Sequence, residues 1–430
     1  MKRRAFWWDI EESLRPAHTH TVLPRETEFL IVGAGYTGLS AALSLARQGK
    51  QVVVLDAGLP GFGASTRNGG ICSGQIRLSH GALSDTHGQA FADEAYAEGI
   101  TARLDLKTFC DEEGIDCQFQ MTGRFTGAVT PKDYEAQARE VERLNRVPGH
   151  EAYMVPRAEQ HREIQTDLFH GGMVRGEIGG FHPGKFFAGL LRVVEASGAK
   201  LFSQVIVQDF QPTGTSAKIV QTNLGDIKTH TIIVATNAYT GHKYKFGQYL
   251  RQRLVPVQSQ IIVTEKLGES RVRDLMPHLR MYGNTANLYS YFRPTPDRDR
   301  ILLGSRSFDR KTPSDRSVLY LKRRLVEIFP DLADCKIDYS WLGNVGFTRA
   351  QLPVIFQKEG IYYAAGYAGS GTVWARWMGK KVAELALGTG NRPSVFYSKA
   401  PPKVPLYDGK PWFLPVVHRY FAAKDRWKQR

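Results

Sequence analysis

The residues best placed to do chemistry lie near the start of the chain. Phe29-Leu-Ile-Val-Gly-Ala-Gly-Tyr-Thr-Gly-Leu-Ser40 carries an apolar run into a glycine turn and out into a small-residue helix pattern. That order opens a dinucleotide-binding βαβ unit: Gly33 for the tight turn, Gly35 for close approach of a pyrophosphate, Gly38 for a helix lying on its strand. Tyr36 and Thr37 fall in the first helical turn, where backbone N–H groups favour phosphate. The next strand, Gln51-Val-Val-Val-Leu55, ends at Asp56-Ala57. A carboxylate there, about 20 residues past the first glycine, holds both hydroxyls of an adenosine ribose and disfavours an added phosphate. A glycine triplet alone is weak evidence; strand, helix, strand and terminal acid in this order are specific.

Two further glycine-rich segments point to the same ligand. Gly61-Phe-Gly-Ala-Ser-Thr-Arg-Asn-Gly-Gly70 reads as a second cofactor-contacting loop, offering Gly63, Ala64, Ser65, Arg67, Asn68, Gly69 and Gly70. Ile361-Tyr-Tyr-Ala-Ala-Gly-Tyr-Ala-Gly-Ser-Gly-Thr372 is a strand entering a second glycine turn, with Gly366, Gly369, Ser370, Gly371 and Thr372 at the turn and a helix over Trp374–Leu387. Thr231-Ile-Ile-Val-Ala-Thr-Asn-Ala238 is a buried strand that puts Thr236 and Asn237 in a cofactor-facing turn.

The elements that must position these groups follow from periodicity. The stretch 86–146 has helical spacing, with a turn or short strand near 118–129. Gly184–Gly198 reads as an amphipathic helix ended by glycine, and Lys200–Val207 as a strand returning to the nucleotide sheet. Alternating patterns at Asn287–Arg293 and Arg300–Arg306 predict a mixed or antiparallel substrate sheet. The expected architecture is α/β with an α+β substrate part. An arm (1–26) precedes a discontinuous Rossmann-like nucleotide domain (27–85, 165–238, 340–395), interleaved with a substrate and cap domain (86–164, 239–339) and followed by a tail (396–430).

Composition narrows the function class. Lys plus Arg number 57 against 42 Asp plus Glu, a net charge of +15. The excess is scattered and suits an anionic substrate, an anionic surface or simple solubility. No nucleic-acid signature is present, so nucleic acid is not an expected partner. Cys72, Cys110, Cys117 and Cys335 show no metal spacing, which fits reduced thiols in a cytoplasm and no metal. Arg3-Arg4 are followed by Asp9, Glu11 and Glu12, not by the apolar stretch of a secretory signal. No run is long enough to span a bilayer.

The chain resembles the FAD-dependent glycine and D-amino-acid oxidase superfamily, and within it the γ-glutamylputrescine-oxidase-like branch. The carriers are Val32–Ser40, Gly63–Gly70, Gly360–Gly371 and the tail Pro411-Trp-Phe-Leu-Pro415, so the likeness covers nearly the whole length. It implies FAD, a Rossmann-like cofactor domain that Val207 also contacts, a substrate domain on a large sheet, and oxidation of a C–N bond beside the flavin. Covalently flavinylated relatives carry a cysteine near the stretch matching Phe347–Pro353, or a histidine in the loop matching Ser65–Asn68. Neither is present, so noncovalent FAD is expected. Gly369-Ser370-Gly371 stands where Gly-His-Gly is common, and Trp374 and Arg376 stand where smaller apolar residues are usual.

Amine oxidation needs a substrate C–H held over the flavin, water excluded and a neutral amine. The N-terminus of the helix after Gly371 offers the positive potential that favours the reduced ring. Tyr289 and Tyr291 alternate with Arg293 on one face of the predicted strand; they either box the amine while Arg293 clamps a substrate anion, or form core with Arg293 at its edge. Arg306 and Arg253 are further anion candidates or structural ion pairs. Lys266 follows the β pattern Ile261-Ile-Val-Thr264, where some relatives carry an oxygen-activating lysine. His182 reads as a turn and helix-start residue. The expected reaction takes a primary or secondary amine or amino acid, with an anionic group, to an imine that water hydrolyses, while O2 becomes H2O2. Two alternatives are an amine dehydrogenase feeding a quinone or electron-transfer protein at a membrane surface, and a flavin-binding subunit without turnover. The aromatic, basic tail after Pro411 either touches that surface or docks on the body as a helix.

Overall fold

The valine- and isoleucine-rich runs become parallel strands buried on both faces, as such runs must when helices cover a sheet from above and below. The structure, a computed structural model, describes residues 1–10, 22–213, 217–241, 244–307, 309, 312–389 and 394–428. Its first sheet has the order Val354–Lys358, Ile361–Ala365, Gly225–Val234, Glu26–Val32, Val52–Leu55, Lys200–Phe202. All neighbours are parallel except the first pair. Val207–Thr213 and Ala217–Thr222 extend it as an antiparallel meander. On one face, Ile31 and Val54 bury against Leu39, Phe186, Leu190 and Met378 from the helices Tyr36–Ala46, Pro183–Ala196 and Gly371–Leu387. On the other, Leu30, Val53 and Val234 pack with Val220 and Phe356.

The second sheet runs Ile337–Phe347, Val255–Thr264, Ile301–Arg306, Tyr291–Pro294, Met281–Asn284, Arg124–Gly127, Gly172–Arg175, Ala152–Val155. It is antiparallel apart from Met281–Asn284 against Arg124–Gly127, hence mixed. Phe125, Ile262, Phe292 and Leu303 on one face pack with Leu321 and Leu325 of the helix Asp315–Ile328. On the opposite face Ile261, Val263, Leu302 and Trp341 pack against Phe6 and Trp7 of the arm, and the remainder forms a cavity wall.

The domain boundaries need three corrections. The helix Gln89–Glu112 buries Ala92, Leu106 and Phe109 in the first sheet's core, so it belongs with the nucleotide half and not with a cap beginning at 86. Gly172–Arg175 and Ile337–Phe347 hydrogen-bond into the second sheet, so that half extends beyond 164 and 339. Strand pairing across distant chain segments decides these edges, and local composition does not report it. Lys200–Val207 is also two strand ends, not one strand: pairing stops at Phe202 and resumes at Val207.

The arm does more than cross a surface. Trp7 Nε1 donates to the Asn68 carbonyl (2.9 Å) and Trp8 Nε1 to Thr66 Oγ1 (2.8 Å). The Arg67 guanidinium lies over the rings of Trp8 (4.6 Å) and Phe62 (4.4 Å) and donates to Leu342 O (2.9 Å). The glycine loop 61–70 is thereby stapled to both the arm and the second sheet. Residues 11–21 of the arm lie outside the described residues. The tail forms a helix, Leu414–Lys428, tied to the body by Asp425, which accepts from the Asn287 and Leu288 backbone N–H groups (2.8 Å each), and by Lys428 to Asp133 (3.1 Å). Among the described residues no helix is long and apolar enough to cross a membrane.

Candidate active site

Two cavities meet where the sheets adjoin. The first, about 440 Å3, is lined by Gly33, Gly35, Tyr36, Thr37, Asp56, Ala57, Gly63, Ser65, Val207, Thr236, Asn237 and Gly371, among others. Gly33 has φ +104°, a backbone state that side chains rarely adopt. A Cβ on Gly38 would lie 1.8 Å from the Gly33 carbonyl, so only glycine lets the helix Tyr36–Ala46 start this close to its strand. That helix has no side-chain cap of its own at Gly35; Ser65 Oγ accepts from Tyr36 N–H (2.9 Å), and its other leading amides face the cavity. Asp56 accepts from Ala34 N–H and Gly58 N–H (2.8 Å each), which fixes its carboxylate at the cavity wall. Burial pushes that carboxyl up from its ordinary value, against the pull of these two amides.

The second cavity, about 830 Å3, is walled by the part of the second sheet that the arm leaves free and roofed by the helix Pro131–Leu144. Ala64, Asn68, Asn344, Val345, Ala368, Gly369 and Thr372 line both cavities, so the two adjoin across a shared wall. The helix Gly371–Leu387 begins at this junction without a side-chain cap, aiming its amides there. Tyr289 and Tyr291 stand on the second cavity with their rings stacked, centroids 6.0 Å apart. Tyr291 fits only because Gly304 faces it across the strand pair: a Cβ there would lie 2.2 Å from its ring.

Among the described residues, six arginines line this cavity: Arg67 from the glycine loop, Arg139 and Arg143 from the roofing helix, and Arg77, Arg124 and Arg306. Arg124 bonds the Tyr289 hydroxyl and donates to Gln75 Oε1 (3.2 Å). Arg306 lies over the Phe347 ring (5.1 Å), and Arg77 reaches the same space from the loop after Ile71–Cys72. Burial pushes the guanidinium groups of Arg124 and Arg306 down to about 10, with Arg77 adding repulsion to each, and both remain charged at neutral pH. Arg77 is exposed on the cavity side it lines, and burial of the rest pushes its guanidinium below the ordinary value. The tail helix closes over this end: His418 is held below its ordinary value by burial and then by Arg306.

The structure gathers most sequence-predicted cofactor residues and disperses the catalytic ones. Arg67, Gly69 and Ser370 face the second cavity, not the first. Gly38 and Gly70 serve packing; a Cβ on Gly70 would lie 2.3 Å from Phe181 O. Gly366 donates its N–H to Asn237 Oδ1 (3.1 Å), and Asn68 holds its own loop through Gly70 N–H (2.8 Å) and Ser65 O (2.7 Å).

Three catalytic expectations are overturned. Arg293 is fully buried and donates to Gly70 O (2.8 Å), Phe181 O (3.0 Å) and Pro294 O (2.9 Å), so it clamps backbone and reaches no substrate. Lys266 is 71% exposed at the sheet's far end, paired with Asp299 (3.1 Å). Trp374 is core, with Nε1 on Gln75 O (2.9 Å) and its ring edge-on to Phe396. Arg376 pairs with Asp105 in a separate cleft between helices, and Arg253 stacks on Tyr249 (3.6 Å). His182 caps the helix Pro183–Ala196 by accepting from Lys185 N–H (3.1 Å), as its sequence position suggests. Arg77 and Arg124 went unread: they come from segments with no motif, and only the fold joins them.

A Rossmann-like half carrying a nucleotide cradle, opening directly onto a sheet-walled pocket, defines a dinucleotide-dependent oxidoreductase. Residues 28–385 match the family described as FAD dependent oxidoreductase, DAO. The chain is 30% identical over 404 residues to γ-glutamylputrescine oxidoreductase of Escherichia coli strain K12, covering 92% of each. It is 29% identical to the probable oxidoreductase OrdL of Rhizobium meliloti, covering 98% of this chain and 97% of that one. Glycine oxidase from Geobacillus kaustophilus shares the fold, with a TM-score of 0.71 at 20% identity over 86% of this chain and 96% of that chain. The chain therefore belongs to the DAO family of FAD-dependent oxidoreductases, in the γ-glutamylputrescine-oxidoreductase-like branch.

The residues present fit FAD. The cradle around Gly33, Gly35 and Asp56 suits its adenosine and pyrophosphate, and the junction walls are small enough to admit a flat ring. Among the described residues lining either cavity there is neither cysteine nor histidine to which a flavin could be bonded.

Proposed function

We propose that this enzyme oxidises the C–N bond of a primary or secondary amine or amino acid bearing an anionic group, using O2 as electron acceptor. The observation that carries the reading is the junction: a cofactor cradle whose far wall is shared with an arginine-rich pocket that holds the stacked pair Tyr289 and Tyr291 together with Arg77, Arg124 and Arg306. Bound FAD supplies a two-electron acceptor for the hydride leaving the substrate carbon. The chain's own task is positional. Arg306, Arg77 and Arg124 draw the substrate anion in, and each is a guanidinium that stays protonated. Tyr289 and Tyr291 wall the amine, and the same arginine field with partial desolvation favours its neutral form, which alone releases hydride readily. The amine N–H proton leaves to solvent, the C=N bond forms, and water hydrolyses the imine to a carbonyl compound and an amine. The uncapped amides at Gly371 and Thr372 stabilise negative charge at the junction.

Small junction residues such as Ala64 and Gly369 leave O2 a path. A cytoplasmic setting agrees with Cys110 and Cys117, whose sulfurs lie 3.8 Å apart without a bond. The test is anaerobic bleaching of the holoprotein's flavin absorbance by amino acids, N-alkyl amino acids, γ-glutamyl polyamines and neutral amines, followed by air. Bleaching by anionic amines, and H2O2 formed on admitting air, are expected. A flavin that no amine bleaches refutes the reading. Bleaching that air leaves unreversed refutes the O2 assignment and leaves a dehydrogenase.

A further inference from the structure

Elsewhere in the molecule, each deeply placed arginine has its counter-charge or its carbonyls. Arg175 pairs with Glu177 (2.5 Å), Arg280 with Glu163 (2.5 Å), Arg300 with Asp338 (2.6 Å) and Arg376 with Asp105, while Arg293 takes three carbonyls. Arg77, Arg124 and Arg306 differ. Among the described residues none of the three forms an ion pair, although they line one cavity and Arg77 repels both Arg124 and Arg306. The acids on the same cavity are spent elsewhere or stand apart: Asp133 holds Lys428 and Thr285, and Glu140 accepts from the His80 and Gly81 amides. Asp85 is exposed on the helix His80–His87. Three like charges held together without a carboxylate cost free energy in the empty protein. A bound anion offsets that, and a single carboxylate neutralises one of the three.

We infer that the substrate is an amine carrying two anionic groups, one received by Arg306 beside Tyr291 and the other by Arg77 and Arg124 beside Tyr289. The amine between them then lies along the tyrosine wall. This rests on the proposed amine oxidation for its meaning, but not for its test, since anion binding is measurable without turnover.

The test is calorimetric titration of the holoprotein with glutarate and with butyrate at low salt. Glutarate is expected to bind at least about tenfold more tightly, with a steeper loss on adding NaCl. Arg77→Gln, with its FAD content and melting temperature checked, is expected to lose most of that preference, and Arg77→Lys to keep part of it. If glutarate and butyrate bind alike, or if Arg77→Gln weakens both equally with the preference intact, the inference is overturned. A flavin that no amine reduces, alongside tight glutarate binding, refutes the amine-oxidation reading and leaves the two-anion site standing.

Discussion

The two cavities are built on opposite principles. Around the nucleotide cradle, the one carboxylate and the supporting loops are already held: Asp56 has two backbone N–H partners, Ser65 accepts from Tyr36 N–H, and Asn237 supports Gly366. Such a site is rigid and receives one ligand by shape and backbone. The second cavity instead holds Arg77, Arg124 and Arg306 without ion-pair partners among the described residues, beside a stacked tyrosine pair. The cradle is specified by sterics and the pocket by electrostatics, so the two should fail differently when mutated.

The largest effect is expected at the cradle. Gly38→Val pushes its side chain into the Gly33 carbonyl and should cost more than about 4 kcal/mol. Loss of flavin absorbance and of cooperative melting would show it; a yellow, stable variant would mean the helix start tolerates displacement. At the pocket, Arg306→Leu should keep full FAD yet lower kcat/KM for an anionic amine about 100-fold, the worth of a charge-assisted bond of about 3 kcal/mol.

The third prediction sets a structural arginine against a binding one. Arg293→Met removes the donor to three buried carbonyls, of which Gly70 O keeps the Phe181 N–H, and should cost about 3 kcal/mol in denaturant unfolding. Arg306→Met removes an unpaired charge and should leave stability unchanged or raised. Equal losses would erase the distinction between the two.

Acid offers a smaller test behind the pocket. Burial raises the Glu177 carboxyl, but His150 and Arg175 outweigh it and hold the group down at about 2, from an ordinary 4.5. A depressed carboxylate stabilises the fold above pH 4.5 and loses that contribution as pH falls from 4.5 towards 2, by about 3 kcal/mol in all. Glu177→Gln should be less stable at neutral pH and flatter across that window. The smallest effect belongs to the tail: Asp425→Ala, which frees the Asn287 and Leu288 amides, should cost about 1 kcal/mol and raise KM a few-fold with kcat unchanged.

What the sequence made legible were features decided within a few residues. Gly33, Gly38 and Asp56 are dictated by local backbone geometry, so their roles survive intact. Tyr289 and Tyr291 reach the pocket, although Tyr289 precedes the strand, which begins at Tyr291. Arg293 shares Tyr291's parity, but the backbone of Gly70 and Phe181 covers that end of the sheet, so the same face is cavity at one residue and core two residues on. Period-two alternation gives the face, and tertiary cover decides what the face meets. Arg77, Arg124 and Arg306 converge from a loop and two strands far apart in the chain, which no local pattern records. Lys266 failed for the converse reason: it follows its strand at the end farthest from the junction.

The most direct test of the central claim, that a cation-lined pocket feeds amines to the cofactor, is anaerobic stopped-flow reduction of the flavin by an N-alkyl amino acid and by its carboxamide. The carboxylate form is predicted to reduce the flavin at least about 100-fold more efficiently, set by one charge-assisted contact. Equal efficiencies for the two would contradict the account.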